Sequence, residues 1–301
     1  MPTSMSFEGC GAAISYHLAA YESACRVYGR QKLKNVKFVG TSSGSIAALV
    51  AALGLDAEFW KERLLQIWAP MGKQCLGLLQ IDYYLGLALD EMLASFPGIA
   101  HEHLCDRLYV SMTHFPMKNV MLSQWKSNGH VKKCILASCF IPVAMLRPVQ
   151  DGHCIAIDGG FSLNNPRLDQ STCLVSPTRT SGANIMPASK ARFRDLIGAP
   201  KPDRFRQLWA GGLDDAHMYF DPASFSNEAR EQAMQEEIQN MPAQTCGGKV
   251  YFWAMKQPAC MAVRICLFWG VLTTQILALP LCLINWLSLC PADADSDQGL
   301  G

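Results

Sequence analysis

A serine stands between two framing glycines in Gly40-Thr41-Ser42-Ser43-Gly44, where a strand pattern gives way to a helix pattern. Val36-Lys37-Phe38-Val39 reads as the strand, and Ser43 to Leu53, a run of small and apolar residues, as the helix. G-x-S-x-G at such a junction is the pattern of a nucleophile elbow. So abrupt a turn forces its central residue into a strained backbone conformation and pushes the side chain into the open. The residues two before and two after then approach closely, and only glycine leaves room. Ser42 alone is framed this way, because Ser43 and Ser45 lack matching glycines. Such a serine is a candidate nucleophile for acyl transfer.

A nucleophilic serine also needs a site for the oxyanion and an acceptor for its proton. Gly9-Cys10-Gly11 lies where a strand opens into a helix, so its N–H groups and the helix dipole favour negative charge. A dinucleotide fingerprint is the rival reading. It fails because the third glycine position is Ile14 and no Asp or Glu lies between Glu22 and Asp56. The acidic candidate is Asp158, at the end of an apolar strand and followed by Gly159-Gly160; a plain D-G turn, as at Asp151-Gly152, is the alternative. Ser42, Asp158 and His217 follow the chain order of an α/β-hydrolase triad. Yet only one strand–helix unit precedes Ser42, too little for that fold. The histidines, including His101, His103, His130, His153 and His217, read as structural or solvated.

These residues need elements to position them. Met5-Ser6-Phe7 reads as a strand and Ala12 to about Tyr28 as a helix. Trp60 to Trp68 reads as a further helix. Leu108–Met112 and Asn119–Ser123 form a strand pair, and Val131–Phe140 is a helix stopped by Pro142. Cys154–Ile157 is a buried strand leading into Asp158. Strands alternating with helices predict an α/β layer fold. Lys and Arg (26) nearly balance Asp and Glu (25), so no basic surplus points to nucleic acid. The 13 cysteines show no C-x-x-C or zinc-ligand spacing, which suits reduced thiols and neither a metal site nor a disulfide framework. No cofactor is expected. Met1 to Ser6 lacks the basic and apolar parts of a signal peptide.

Beyond Pro187 the texture changes. Lys190 to Arg206 is basic and broken by Pro200 and Pro202, and Asn227 to Asn240 is a polar helix. Ile265 to Cys290 then runs without a charge. About 20 helical residues suffice to span a bilayer core, so membrane association is expected there. Pro280 leaves both a span and a dip into one leaflet open. Lys256 and Arg264 precede the run and no Lys or Arg follows it, which keeps the preceding chain on the cytosolic side.

The constellation resembles the patatin-like phospholipases, most nearly the adiponutrin and adipose triglyceride lipase branch. The residues that carry the resemblance are Ser6-Phe7-Glu8-Gly9-Cys10-Gly11, Tyr16-His17-Leu18, Gly40-Thr41-Ser42-Ser43-Gly44 and Ile157-Asp158-Gly159-Gly160-Phe161-Ser162. Leu108–Thr113, Ile135–Pro142, Asn164-Asn165-Pro166 and Val175-Ser176-Pro177 extend it, while Ala12-Ala13-Ile14 departs from the branch's usual Phe-Leu-Gly. The resemblance implies a patatin-like three-layer fold with a central, mainly parallel sheet. It implies a lipid acyl hydrolase with a Ser42–Asp158 dyad without histidine, an oxyanion hole at Gly9, Cys10 and Gly11, and glycerolipid esters as substrates on a membrane or lipid droplet; an acyltransferase, or a non-catalytic membrane or lipid-droplet binding protein retaining the fold, is the alternative. The expected division is a catalytic domain over 5–175, a variable helical extension over 176–259, and a hydrophobic segment with a short acidic tail over 260–301.

Overall fold

The computed structural model describes residues 1–224, apart from 74–79, 115–116, 142–144, 146–148, 152–153, 189–190, 192 and 197–200. Pro142, His153, the polar stretch 227–240 and the uncharged run 265–290 with Lys256 and Arg264 lie outside the described residues. Among the described residues no helix is long and apolar enough to cross a membrane.

The chain opens with β1 (Ser4–Phe7), which is buried along its whole length. Strand alternation puts Met5 and Phe7 on one face and Ser4 and Ser6 on the other. Phe7 lies parallel to Phe38 with ring centroids 6.5 Å apart, and Tyr21 meets Phe38 edge-on at 5.8 Å. Each such buried ring contributes about 1.5–3 kcal/mol of apolar burial. The hydroxyls opposite are satisfied: Ser4 donates to Thr172 Oγ1 at 2.9 Å and Ser6 to the Pro166 carbonyl at 2.5 Å. After a 3-10 turn at Gly11–Ala13 comes α1 (Ile14–Tyr28), then β2 (Lys37–Thr41) and α2 (Ser43–Leu53). Every residue of α2 is buried, so only a helix of small and apolar residues fits that place.

Four further helices follow in the central part of the chain: α3 (Ala57–Lys73), α4 (Ile81–Ala94), α5 (Ala100–Leu104) and α6 (Asn128–Ser138). The last begins three residues before the expected Val131, because the Ser127 hydroxyl accepts the His130 N–H and caps it. It ends at Ser138, before Phe140. The remaining strands are β3 (Leu108–His114), β4 (Lys118–Leu122), β5 (Val149–Asp151), β6 (Cys154–Asp158) and β7 (Cys173–Val175). Two late helices, α7 (Phe193–Leu196) and α8 (Pro202–Phe220), complete the described chain. The α8 helix lies along α1. Gly212 admits the approach, since a Cβ there would come 2.7 Å from the Tyr16 carbonyl oxygen. The Tyr16 hydroxyl donates to Asp215 at 2.7 Å in the same seam.

The strands form one sheet in the order β5-β6-β3-β2-β1-β7, with β4 also on β3. The pairs β1–β2, β1–β7 and β2–β3 are parallel, whereas β3–β4, β3–β6 and β5–β6 are antiparallel. The α/β expectation holds, but the sheet is mixed rather than mainly parallel. The reason is local to β3. Its residues 110–114 pair with β4 along one edge; on the other edge, 108–111 pair with β2 and 112–114 with β6. Two strands of opposite direction thus share one edge and meet at their C-terminal ends, Thr41 opposite Ser111 and Asp158 opposite Met112. The expectation of a buried β6 is corrected in part: Cys154 and Ile155 are exposed. Among the described residues they lie beyond the last β3 pairing, His114 with Ala156, and pair with the three-residue β5.

Candidate active site

The meeting of β2 and β6 sets two side chains face to face. Ser42 follows β2 with φ 53° and ψ −132°, a conformation that non-glycine residues seldom adopt. Its framing glycines are there for space. A Cβ on Gly40 would overlap the backbone of Gly44, and one on Gly44 would overlap the Phe7 and Glu8 carbonyls. The strained turn is held on both sides. The Ser42 carbonyl accepts from the Ser45 N–H at 2.9 Å and the Ser45 hydroxyl at 2.6 Å. The Ser42 N–H donates to Ser138 Oγ at 2.8 Å, and Ser138 in turn donates to the Ser111 carbonyl at 2.6 Å. The end of α6 therefore ties the elbow to β3.

Asp158 ends β6 and is only 5% exposed. Its N–H donates to the Phe140 carbonyl at 2.8 Å, and Oδ1 accepts the Gly160 N–H at 2.7 Å. Thr113 Oγ1 donates to the Asp158 carbonyl at 2.9 Å. Gly159 lets this corner close: a Cβ there would overlap the Ser111 carbonyl and come 2.9 Å from Thr41 Cγ2. Burial pushes the Asp158 carboxyl up from 3.8 to about 6, and hydrogen bonds from the Ser42 side chain and the Gly160 amide partly oppose the rise. The carboxyl is thus largely withdrawn from solvent. Among the described residues, no histidine acts on it. His217 sits in the last turn of α8, where its carbonyl accepts the Asp221 N–H at 2.8 Å.

The glycine-rich turn lies beside the elbow, with Ser42 Cβ 3.1 Å from the place a Gly9 Cβ would take. Its amides are not uniformly open. The Gly9 N–H donates to the Asn164 carbonyl at 3.2 Å and to Asn164 Oδ1 at 3.1 Å. The Cys10 N–H donates to Ser43 Oγ at 3.2 Å. Gly11 takes φ 54°, opens the 3-10 turn, and lies against the Leu196 carbonyl of α7. Sequence reading anticipated three outward N–H groups; tertiary partners engage two of them.

Beneath the turn, Glu8 is fully buried, and its carboxylate accepts from the Thr178 N–H at 3.0 Å and from the Thr178 and Thr180 hydroxyls at 2.5 Å. His17 Nε2 pairs with the Glu8 carbonyl at 2.9 Å, and burial depresses that imidazole to about 4. It is a neutral packing residue, wedged edge-on against Phe7. Cys139, buried among Asp158, Ser45 and Ser42, has its thiol pushed far above the usual range by desolvation, so it offers no competing thiolate. No disulfide joins the described cysteines, and no group of three His, Cys, Asp or Glu side chains among the described residues is placed to hold a metal.

Ser42, Asp158, Gly159, Gly160 and the Gly9–Gly11 turn thus converge on one corner. Sequence reasoning passed over Ser138, Asn164 and Glu8 as members of it. All three fall within quoted motif segments, but their partners lie far away in sequence.

Residues 5–169 match the Patatin family, described as patatin-like phospholipase. Curated relatives include the omega-hydroxyceramide transacylase of Mus musculus, 28% identical over 62% of this chain and 32% of its own length. Another is the Mus musculus 1-acylglycerol-3-phosphate O-acyltransferase Pnpla3, 28% identical over 58% of this chain and 43% of its own. This chain therefore spans less than half of either relative. Among solved structures, VipD from Legionella pneumophila covers 73% of this chain and 67% of its own, at 13% identity and a TM-score of 0.45. With more than half of its length matched, the chain belongs to the patatin-like phospholipase family, and its curated relatives lie in the adiponutrin-like branch.

Proposed function

We propose that this protein is a lipid acyl hydrolase that cleaves glycerolipid esters through Ser42 and Asp158. The observation that carries the reading is a strained serine beside a buried carboxyl whose proton affinity is raised to about 6. An ordinary aspartate, near 3.9, is too weak a base to draw a proton from serine at neutral pH. A carboxyl raised towards the working pH both ionises there and accepts a proton more readily.

Ser42 Oγ attacks the ester carbonyl carbon as Asp158 takes its proton, giving a tetrahedral oxyanion. The glycine turn stabilises that charge. Gly11 supplies the amide not already engaged by Asn164 or Ser43, and the N–H of Ser43 at the start of α2 is a second donor. Asp158 then returns the proton to the leaving alcohol, and an acyl-enzyme forms on Ser42. Water, deprotonated by Asp158, releases the fatty acid.

A second reading differs only in the last step. The relatives named as a transacylase and an acyltransferase favour an alcohol acceptor in place of water. The same acyl-enzyme serves both, so the acceptor decides the product. We also place the protein on a membrane or lipid droplet with the catalytic part facing the cytosol, on the strength of the uncharged run 265–290.

The test is ester profiling of the full chain beside Ser42→Ala, on triacylglycerol and phospholipid emulsions with and without an added lyso-glycerolipid. The reading expects fatty-acid release, or acyl transfer to the lyso-lipid, that disappears in Ser42→Ala. Undiminished turnover in the variant would contradict it. Truncation after Gln257 is expected to release the chain from membranes while sparing hydrolysis of a short soluble ester.

A further inference from the structure

Two glycines at the site are explained neither by backbone angle nor by an approaching backbone. Gly9 and Gly160 both lie outside the positive-φ region. What they share is a neighbour. A Cβ on Gly9 would overlap Asn164 Oδ1, and a Cβ on Gly160 would come 2.9 Å from the same atom. The second position also lies 3.0 Å from Asp158 Oδ1. Both glycines make room for one amide side chain.

That side chain pairs with the Gly9 peptide in both directions. Oδ1 accepts the Gly9 N–H at 3.1 Å and Nδ2 donates to the Gly9 carbonyl at 3.2 Å. The Asn164 main-chain carbonyl accepts the same N–H at 3.2 Å. The donor and acceptor ends of the amide are each satisfied, which sets its orientation without ambiguity. Gly9 in turn borders Ser42, whose Cβ lies 3.1 Å from the place a Cβ on Gly9 would take. We propose that Asn164 is the positioning residue that registers the Asp158 loop against the glycine turn beside Ser42. This role rests on the acyl-transfer reading given above. The hydrogen bonds of the Asn164 side chain go to Gly9 and not to Ser42 or Asp158. It acts by tying the loop that carries Asp158 to the glycine turn bordering Ser42, and small misplacements of reacting groups are costly.

The neighbourhood makes the effect readable by pH. The Ser42 hydroxyl from the elbow and the Cys139 thiol from the end of α6 face the Asp158 carboxyl. Glu8 acts on Cys10 and His17, not on Asp158. Among the described residues, no charged side chain figures among the influences on Asp158. A carboxylate placed at 164 would be the first, a few ångströms away across Gly160, and a like charge raises a carboxyl's proton affinity.

The experiment measures kcat, KM and their pH dependence on p-nitrophenyl butyrate with the full chain, for wild type, Asn164→Ala, Asn164→Asp and Ser42→Ala. Asn164→Ala is expected to lose roughly 10- to 100-fold in kcat with little change in KM. Asn164→Asp keeps size and acceptor but loses the donor, and its acid limb is expected to move up by about one pH unit. If Asn164→Ala fails to fold, the acid limb of Asn164→Asp decides. Wild-type kcat in Asn164→Ala, or an unmoved acid limb in Asn164→Asp, would overturn the assignment. Ser42→Ala separates the two claims: if it is inactive while the Asn164 variants behave as wild type, only the positioning role fails. If Ser42→Ala stays active, the underlying reading fails first.

Discussion

The two halves of the sheet deliver their functional residues by different means. On the parallel side, β2 runs into α2 and Ser42 is presented by local sterics: a left-handed serine and glycines at 40 and 44 whose replacement would overlap backbone atoms. On the antiparallel side, Asp158 owes its place to strand register, because β6 ends opposite Met112 one residue beyond the pairing of Thr41 with Ser111. One residue is positioned by its own pentapeptide. The other is positioned by a partner strand more than forty residues away in sequence. The nucleophile side should therefore break by steric overlap, and the acid side by loss of charge or register.

The largest effect is expected on the acid side. Asp158→Asn keeps the acceptor for the Gly160 N–H and removes the carboxylate proposed as the base. Turnover should fall about a thousandfold or more, measured on a soluble ester, as for other single members of a nucleophile–base unit. Next is the nucleophile side, where Gly44→Ala forces a Cβ into the Phe7 and Glu8 carbonyls. Thermal or urea unfolding should show a loss of about 3 kcal/mol or more, as overpacking into backbone leaves nothing to repack.

The same Asp158→Asn variant should gain stability, which sharpens the contrast. Burial raises the folded carboxyl from 3.8 to about 6, so the folded state holds that proton more tightly than the unfolded chain. The stability it contributes is full below about pH 4 and is lost as pH rises through about 6. The rise corresponds to about 3 kcal/mol at most. Unfolding curves at pH 8 should favour the variant, and the difference should shrink as pH falls towards 4. A smaller effect is expected at Ser138, whose hydroxyl bridges the Ser42 N–H to the Ser111 carbonyl. Ser138→Ala should cost about 1–2 kcal/mol of stability and roughly tenfold in kcat. His217→Ala, in the last turn of α8, should change turnover least of all.

These contrasts also explain what could be read without coordinates. The elbow was legible because its constraint is contained in five consecutive residues, and Asp158 was legible as a candidate because two glycines follow it. The strand pair at Leu108 and Asn119 was visible as a hairpin pattern. The direction of β6 was not, since alternation says nothing of parallel or antiparallel pairing. The engaged amides of the glycine turn were hidden for a similar reason. Gly9 meets Asn164 across 155 residues, and Cys10 meets Ser43 across 33. The exposed start of β6 escaped notice because Cys154 and Ile155 are as apolar as buried strand residues, and only the length of β3 leaves them uncovered.

On the function proposed above, Ser42 is activated by the buried Asp158 carboxyl, whose proton affinity is raised to about 6. The most direct measurement is the rate at which a fluorophosphonate probe labels Ser42, mapped by peptide mass spectrometry and followed from pH 4.5 to 8.5 at about half-unit steps. Asp158 must be ionised to accept the serine proton, so the rate should rise with pH through an inflection at about 6. In Asp158→Asn that inflection should vanish and labelling should become slow at every pH. Labelling on another serine, or an unchanged inflection in Asp158→Asn, would contradict the account.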